Sequence, residues 1–245
     1  MTRVLLVGHS HLTCIRQAFD QRGGQIEGLE LEFAQLADAG FVPNLGPAGD
    51  VHPLLRQLVT APRFAAIVSI IGGNAHFSLG LTNNPRRYDF ISPEAPDLPL
   101  EDGAEIIPYW LVMRHLIGMS HETTPVLPAI RALAPRIPFL HLESPPPVPA
   151  ENVSRHAKHF APFIKHYGLS RPERVLRFWR LQGKMMKDIC DQTGITYLPA
   201  PASMVDAEGL LQRVAWRDDP THAGPAYGHA VLDQLAAHFA QRNAA

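Results

Sequence analysis

The stretch that decides the fold is Val4-Leu5-Leu6-Val7-Gly8-His9-Ser10-His11, close to the start of the chain. Its four apolar residues form a short run, and such a run is typical of a buried strand. Gly8 ends the run. A helical pattern then places Leu12, Ile15 and Phe19 on one face, ahead of a Gly-Gly pair. A buried strand followed at once by an amphipathic helix indicates the first unit of a parallel sheet.

The same alternation of strands and helices continues along the chain. Strands are predicted where short apolar runs occur, and helices where apolar residues repeat with helical spacing. The further strands are predicted at residues 29–36, 64–71, 137–142 and 196–198, and the longer helices at residues 109–119, 125–133, 171–193 and 226–241. This order predicts an α/β protein, a three-layer α/β/α sandwich with a central parallel sheet of about five strands.

Residues 75–108 interrupt this alternation of strands and helices. The stretch is rich in proline and shows no convincing helix or strand period. Long connections without regular structure are uncommon in compact domains and are often lids or binding loops. Elsewhere the chain shows no repeat, low-complexity tract or linker. We therefore predict one domain over residues 1–245, with residues 75–108 as a proline-rich insertion that can act as a lid.

The composition excludes several classes of protein. The 22 Lys+Arg residues balance 23 Asp+Glu residues, so the chain lacks the basic excess of nucleic-acid-binding proteins. No apolar run reaches the roughly 18 residues that span a bilayer, and no signal-peptide core follows Met1. The only cysteines are Cys14 and Cys190, which form no disulfide framework and favour a reducing compartment. We expect a cytoplasmic protein with neither a nucleic-acid nor a membrane partner, and the oligomeric state stays open.

Polar residues suited to catalysis follow three of the predicted strands. Ser10 comes directly after the first strand, and Asn74 follows the third. Asp219 and His222 lie beyond the fifth, ahead of the last helix. In a parallel α/β sheet, ligands bind beyond the carboxyl ends of the strands. The set suits acyl transfer, which needs a nucleophilic hydroxyl, a base, an acid that orients the base, and donors to the oxyanion. Taken singly, a serine such as Ser10 is usually a helix N-cap and an asparagine such as Asn74 is usually part of a turn.

These blocks resemble those of the SGNH (GDSL-type) hydrolases. Gly8-His9-Ser10 resembles the family's Gly-Asp-Ser, Gly72-Gly73-Asn74 its Gly-x-Asn-Asp, and Asp219-Pro220-Thr221-His222 its Asp-x-x-His. The resemblance covers the chain from end to end except for the insertion. It implies a flavodoxin-like SGNH hydrolase fold.

The second block of the family is matched more weakly, by Asn44-Leu45-Gly46-Pro47-Ala48-Gly49-Asp50. This match nominates Gly46 as an oxyanion-hole residue, with Gly40 as the alternative. The chain departs from the family at two positions, because His9 and Ala75 stand where the family has Asp. Neither position belongs to the triad or the oxyanion hole, so both departures concern substrate contacts and local support.

The resemblance also implies an activity, that of a serine esterase or acylhydrolase. The substrate would be a carboxylic ester, such as an acetyl or other acyl group on a sugar or small molecule, and no cofactor is required. Ser10 would be the nucleophile, His222 the base and Asp219 the acid that orients it. The amides of Ser10 and Gly46 and the side chain of Asn74 would hold the oxyanion. An acyltransferase with the same triad, and a catalytically silent relative that binds a sugar or acyl group, remain open.

Three histidines are expected in or near the pocket, where they can contact the substrate: His9, His11 and His76. The spacing His9-x-His11 also suggests a metal-binding start. However, no further His or acidic cluster has convincing ligand spacing, so we predict no metal. No Gly-x-Gly-x-x-Gly or Walker loop follows the first strand, which argues against nucleotide binding.

Two long loops are expected to form the substrate site, residues 75–108 and 143–169. The first carries Arg86 and Arg87, and the second carries Lys158 and other cations among aromatic residues. Arginine pairs well with carboxylate or phosphate, so these residues suit an ester that carries a negative group. The alternative is that the cations are ordinary solvated surface charges.

Overall fold

The computed structural model describes residues 1–244. Within this range the chain forms strands that we number in chain order: β1 (Thr2–Gly8), β2 (Leu29–Gln35), β3 (Ala66–Ile70), β4 (Tyr88–Asp89), β5 (Glu105–Ile106), β6 (Phe139–Leu142) and β7 (Thr196–Leu198). Five of them form one sheet in the order β2-β1-β3-β6-β7, and every neighbouring pair in it is parallel. The predicted central parallel sheet is therefore confirmed.

Helices connect the strands and cover both faces of the sheet. They are α1 (Leu12–Gln21), α2 (Pro53–Val59), α3 (Ala75–Gly80), α4 (Tyr109–Met119), α5 (Val126–Leu133), α6 (Ala150–Arg155), α7 (Ala161–Tyr167), α8 (Pro172–Thr193) and α9 (Pro225–Ala244). None of these helices, which all lie within residues 1–244, has the length and apolarity needed to cross a membrane.

The side chains of β1 show why the fold has three layers. Successive strand residues point to opposite faces, so an apolar run without alternation must be covered on both sides. Val4 and Leu6 belong to a core that also contains the apolar faces of α1 and α9. Leu5 and Val7 belong to a second core with α2, α4, α5 and α8. The structure is thus the α/β/α sandwich that the sequence predicts.

The insertion, residues 75–108, corrects one expectation. It is not without regular structure, because it begins with α3 and contains the parallel β4–β5 pair. These elements are too short for a period to be visible in the sequence. The segment is also fixed to α8: Arg177 forms a buried ion pair with Asp89 at 2.6 Å and donates to the carbonyl groups of Leu98 and Pro99.

Candidate active site

Ser10, His222 and Asp219 form a continuous chain of hydrogen bonds. Nε2 of His222 lies 2.7 Å from Oγ of Ser10, and Nδ1 of His222 lies 2.8 Å from Oδ1 of Asp219. Ser10 is exposed in the turn between β1 and α1, and the other two residues precede α9. With a proton on Nδ1, His222 donates to the carboxylate and its Nε2 accepts from the serine hydroxyl. This arrangement can activate a serine as a nucleophile.

Close packing of α1 against α9 brings the distant parts of this chain together. Gly228, on the first turns of α9, makes the approach possible: a Cβ there would lie 2.2 Å from the carbonyl oxygen of Cys14 in α1. Gly8 plays a similar part at the end of β1, where a Cβ would lie 2.6 Å from Cγ2 of Ile70. A larger residue at Gly228 would push α1 and α9 apart, and a larger residue at Gly8 would clash with β3 beside the turn that carries Ser10.

The carboxylate of Asp219 is held on both oxygens. Oδ1 accepts from the backbone N–H groups of Thr221 and His222 and from the Thr221 hydroxyl, while Oδ2 accepts from Nζ of Lys158 at 2.9 Å. Burial alone would raise the pKa of Asp219. The hydrogen bonds from His222, Thr221 and Lys158 outweigh burial and hold the pKa of this carboxyl well below its usual range. Asp219 is therefore ionised beside His222.

The sequence did not predict the contact between Lys158 and Asp219. We expected it to be a cation for the substrate, whereas its amino group is bound to Asp219. Lys158 also has a φ of 47°, in the left-handed region that residues with a side chain rarely adopt. Asn152 of α6 contacts the loop before α9 as well. Its side-chain amide donates to the carbonyl groups of Arg217 and Asp219. No local sequence pattern predicts a pairing between Lys158 and Asp219, which are 61 positions apart.

The side chain of Asn74 contacts His11, the residue that follows the nucleophile in the sequence. Asn74 is the N-cap residue of α3, but its side chain makes no capping hydrogen bond. Its Oδ1 lies 2.7 Å from Nε2 of His11, which leaves the side-chain nitrogen available. The turn alternative rests on the tolerance of Asn for a positive φ, but the φ of Asn74 is -115°.

The hydrogen bonds of the second loop bear on the choice between Gly46 and Gly40 as the oxyanion glycine. The N–H of Gly46 donates to the carbonyl oxygen of Asp50 at 2.8 Å, so this amide is already used in its own turn. By contrast, the backbone N–H groups of Ser10 and Gly40 donate to no acceptor within the described part of the chain. Of the two glycines, Gly40 is thus the one whose backbone N–H is free to donate to another group.

The three histidines expected at the substrate each contact another side chain of the protein. His9 Nε2 lies 2.9 Å from Asn44 Oδ1, and burial lowers the pKa of this half-buried ring. His76 is 3% exposed and its Nδ1 lies 3.0 Å from Oε1 of Gln182. His11 is 4% exposed. Because protein encloses both rings, His11 and His76 suit hydrogen bonding within the protein better than direct contact with a substrate.

Arg86 and Arg87 are engaged within the insertion. Arg86 Nε lies 2.7 Å from Oε2 of Glu105, and the guanidinium of Arg87 pairs with Glu101. These carboxylates neutralise the charge that we expected to attract an anionic substrate. The structure therefore favours the alternative, in which both arginines are surface residues with local partners. Across residues 1–244, no three His, Cys, Asp or Glu side chains are grouped so that they could hold a metal ion.

No protein-family model and no curated protein matches the chain. Solved structures do match it. A Streptococcus pneumonia protein described as a platelet activating factor is 12% identical, with a TM-score of 0.52 over 97% of this chain and 83% of that one. Est24, a carbohydrate acetylesterase from Sinorhizobium meliloti, is 11% identical, with a TM-score of 0.46 over 97% of this chain and 99% of that one.

A GDSL-like lipase from Bacteroides thetaiotaomicron is also 11% identical, with a TM-score of 0.46 over 100% of this chain and 89% of that one. At these identities the comparisons concern the fold and not the activity. The chain has the three-layer α/β/α fold that its sequence predicts, and the structure with a TM-score of 0.52 is similar to it at the level of the fold.

Proposed function

We propose that this chain is a serine esterase or acylhydrolase that cleaves a carboxylic ester through an acyl-enzyme. The observation that carries the proposal is the hydrogen-bonded chain Ser10–His222–Asp219 at the carboxyl edge of the sheet. Ser10 is exposed, so an ester can reach its hydroxyl. The ionised Asp219 can stabilise the positive charge that His222 acquires during the reaction.

In the first half of the reaction, Oγ of Ser10 attacks the ester carbonyl while its proton moves to Nε2 of His222. The tetrahedral intermediate collapses, the bond to the alcohol oxygen breaks, and His222 returns the proton to the leaving alcohol. In the second half, water gives its proton to His222 and attacks the acyl-serine. The acid leaves and Ser10 recovers its proton, so the enzyme is unchanged.

The negative oxygen that forms in each half needs hydrogen-bond donors. The side-chain nitrogen of Asn74 and the backbone N–H groups of Ser10 and Gly40 are the available donors around the nucleophile turn and the second loop. Donors fixed in advance act on the transition state without a reorganisation cost. We assign the oxyanion to these three groups.

The substrate that we propose is an acyl ester of a sugar or small molecule, and the proposed location is cytoplasmic. Cys14 and Cys190 are both buried and unpaired, which supports a reducing compartment. The acyl acceptor is water in this proposal. Transfer to another alcohol would use the same residues, and product analysis with added glycerol or glucose separates the two.

Turnover of a small aryl acetate, together with fluorophosphonate labelling, tests the proposal. We expect the wild-type protein to release the phenol and to carry the label on Ser10, and Ser10→Ala to lower kcat by on the order of 10⁴–10⁶. The matched control is Ser154→Ala, since Ser154 is exposed and its hydroxyl donates to the carbonyl oxygen of Ala150 in its own helix. Wild-type-like turnover in Ser10→Ala refutes the assignment. A folded wild-type protein that neither turns over nor is labelled is a binding protein.

A further inference from the structure

The side-chain amide of Asn74 can serve an oxyanion in only one orientation. Its nitrogen donates hydrogen bonds, whereas its oxygen accepts them and would repel a developing negative charge. The two orientations differ by a rotation of the amide, so another group must select between them. Asn74 is half-buried and makes no bond to its own helix end.

His11 is the group in contact with this amide. Its Nε2 lies 2.7 Å from Oδ1 of Asn74, across 63 positions of sequence. The other ring nitrogen, Nδ1, is buried and has no partner among the described residues. A proton on Nδ1 would therefore be a buried donor without an acceptor, at a cost of roughly 1–3 kcal/mol. That tautomer would also leave an unprotonated Nε2 facing the amide oxygen at 2.7 Å, as two acceptors without a proton between them. The proton therefore belongs on Nε2, where it is donated to the amide oxygen.

The ring stays neutral in this tautomer over the pH range in which a serine esterase works. Burial, followed by the charge of His222, lowers the pKa of His11 to about 3. The titratable groups that face the ring are His222, at 5.1 Å between ring centroids, His76 and Asp219. A neutral His11 also places no second positive charge beside His222 when His222 accepts the proton of Ser10.

We propose that His11 is a positioning residue that fixes the amide of Asn74 with its oxygen held by the ring and its nitrogen left for the oxyanion. His11 does not touch the substrate in this role. The inference rests on the proposed function, because it gives Asn74 a purpose in catalysis. It also assigns a use to the histidine that directly follows the nucleophile.

A double-mutant cycle between the two residues tests the proposal. We expect Asn74→Ala to lower kcat by roughly 10²–10³. His11→Phe should lower kcat about tenfold or more with little change in KM, but by less than about twofold when Asn74 is already Ala, because the amide to be positioned is gone. His11→Gln can donate from its own amide nitrogen and should recover most of the lost activity.

The matched control is His9→Gln, which changes the neighbouring ring but acts on Asn44. Its effect should add to that of Asn74→Ala. If His11 only fills space, His11→Phe and His11→Gln lose activity alike, and the loss persists beside Asn74→Ala. That result overturns the proposal, and thermal melts of each variant show whether the loss is one of folding.

A second measurement does not depend on turnover. ¹⁵N NMR of histidine-labelled resting protein should show His11 with its proton on Nε2 from about pH 5 to pH 8, and His11→Gln identifies its signal. A proton on Nδ1, or a charged ring in this range, overturns the inference even if Ser10 is the nucleophile. If Ser10→Ala retains full activity, the proposed function fails, and the NMR result still decides how His11 and Asn74 are paired.

Discussion

Nζ of Lys158 lies 2.9 Å from Oδ2 of Asp219, the carboxylate oxygen that His222 does not contact. The lysine side chain is 51% exposed and the carboxylate side chain is 14% exposed, so the pair bridges the surface and the site. Lys158 comes from the segment after α6, and the loop before α9 carries Asp219. The orientation of the proposed catalytic acid thus depends in part on a segment outside the four sequence blocks of the triad and oxyanion hole.

We predict that Lys158→Met lowers kcat by about twofold to fivefold, because a partly exposed ion pair contributes at most about 1 kcal/mol. Raising the salt concentration should lower wild-type activity towards the variant's value, since exposed charge pairs are screened, and should leave Lys158→Met almost unchanged. Lys165→Met, an exposed lysine of α7, is the control and should behave like the wild type. A loss of more than 100-fold, or equal salt sensitivity in both proteins, contradicts this prediction.

The buried histidines predict that the protein loses stability in mild acid. Burial lowers the pKa of His11 and of His141 to about 3 and that of His76 to about 4, from 6.5 in the unfolded chain. As the pH falls from about 6.5 to about 4, the unfolded state binds protons that the folded state does not. The free energy of unfolding should therefore be fully retained above this window and fall within it, by about 1 kcal/mol per pH unit for each ring.

Urea unfolding between about pH 7 and pH 4.5 measures this slope. His141→Asn can keep a hydrogen bond to Ser69 but has no ring to protonate, so it should reduce the slope by about a third. His121→Gln is the control, because the His121 side chain is 71% exposed. A stability that is flat down to about pH 4.5 would show that these rings are protonated in the folded state.

Arg177 and Asp89 are each 1% exposed and predict where the insertion is most sensitive to mutation. Asp89→Ala leaves a buried guanidinium without its counter-charge and should lower the free energy of unfolding by about 3–5 kcal/mol. Glu105→Ala breaks the exposed pair with Arg86 in the same insertion and should cost less than about 1 kcal/mol. If urea unfolding shows the same loss of stability for Asp89→Ala and Glu105→Ala, burial does not determine how much an ion pair contributes to the free energy of unfolding.

The partners of Arg86 and Arg87 lead to a prediction about specificity. Because Glu105 and Glu101 neutralise them, Arg86→Ala and Arg87→Ala should change KM for an anionic and a neutral ester by the same factor, within about twofold. KM values for a matched pair of aryl esters, with and without a carboxylate, decide the matter. A rise in KM for the anionic ester alone would indicate that the arginines contact the substrate.

The architecture and the positions of the reactive residues follow from the sequence. Apolar runs such as the one that ends at Gly8 can be buried only as strands covered on both faces, and helical spacing identifies what covers them. The carboxyl ends of parallel strands lie on one edge, so Ser10, Asn74 and His222 could be expected near one another without knowledge of the packing. Hydrophobic periodicity could not reveal α3 or the β4–β5 pair, because these elements are too short to show a repeat in the sequence.

The contacts that refine the site depended on tertiary structure alone. His11 reaches Asn74 across 63 positions and Lys158 reaches Asp219 across 61. Gly46 matches the expected block, yet its N–H is taken by the carbonyl of Asp50. Periodicity tells which face a residue occupies, whereas a hydrogen bond depends on distances set to a few tenths of an ångström by how helices and loops pack. Sequence therefore determined which residues meet at this edge, and packing decided which atoms bond.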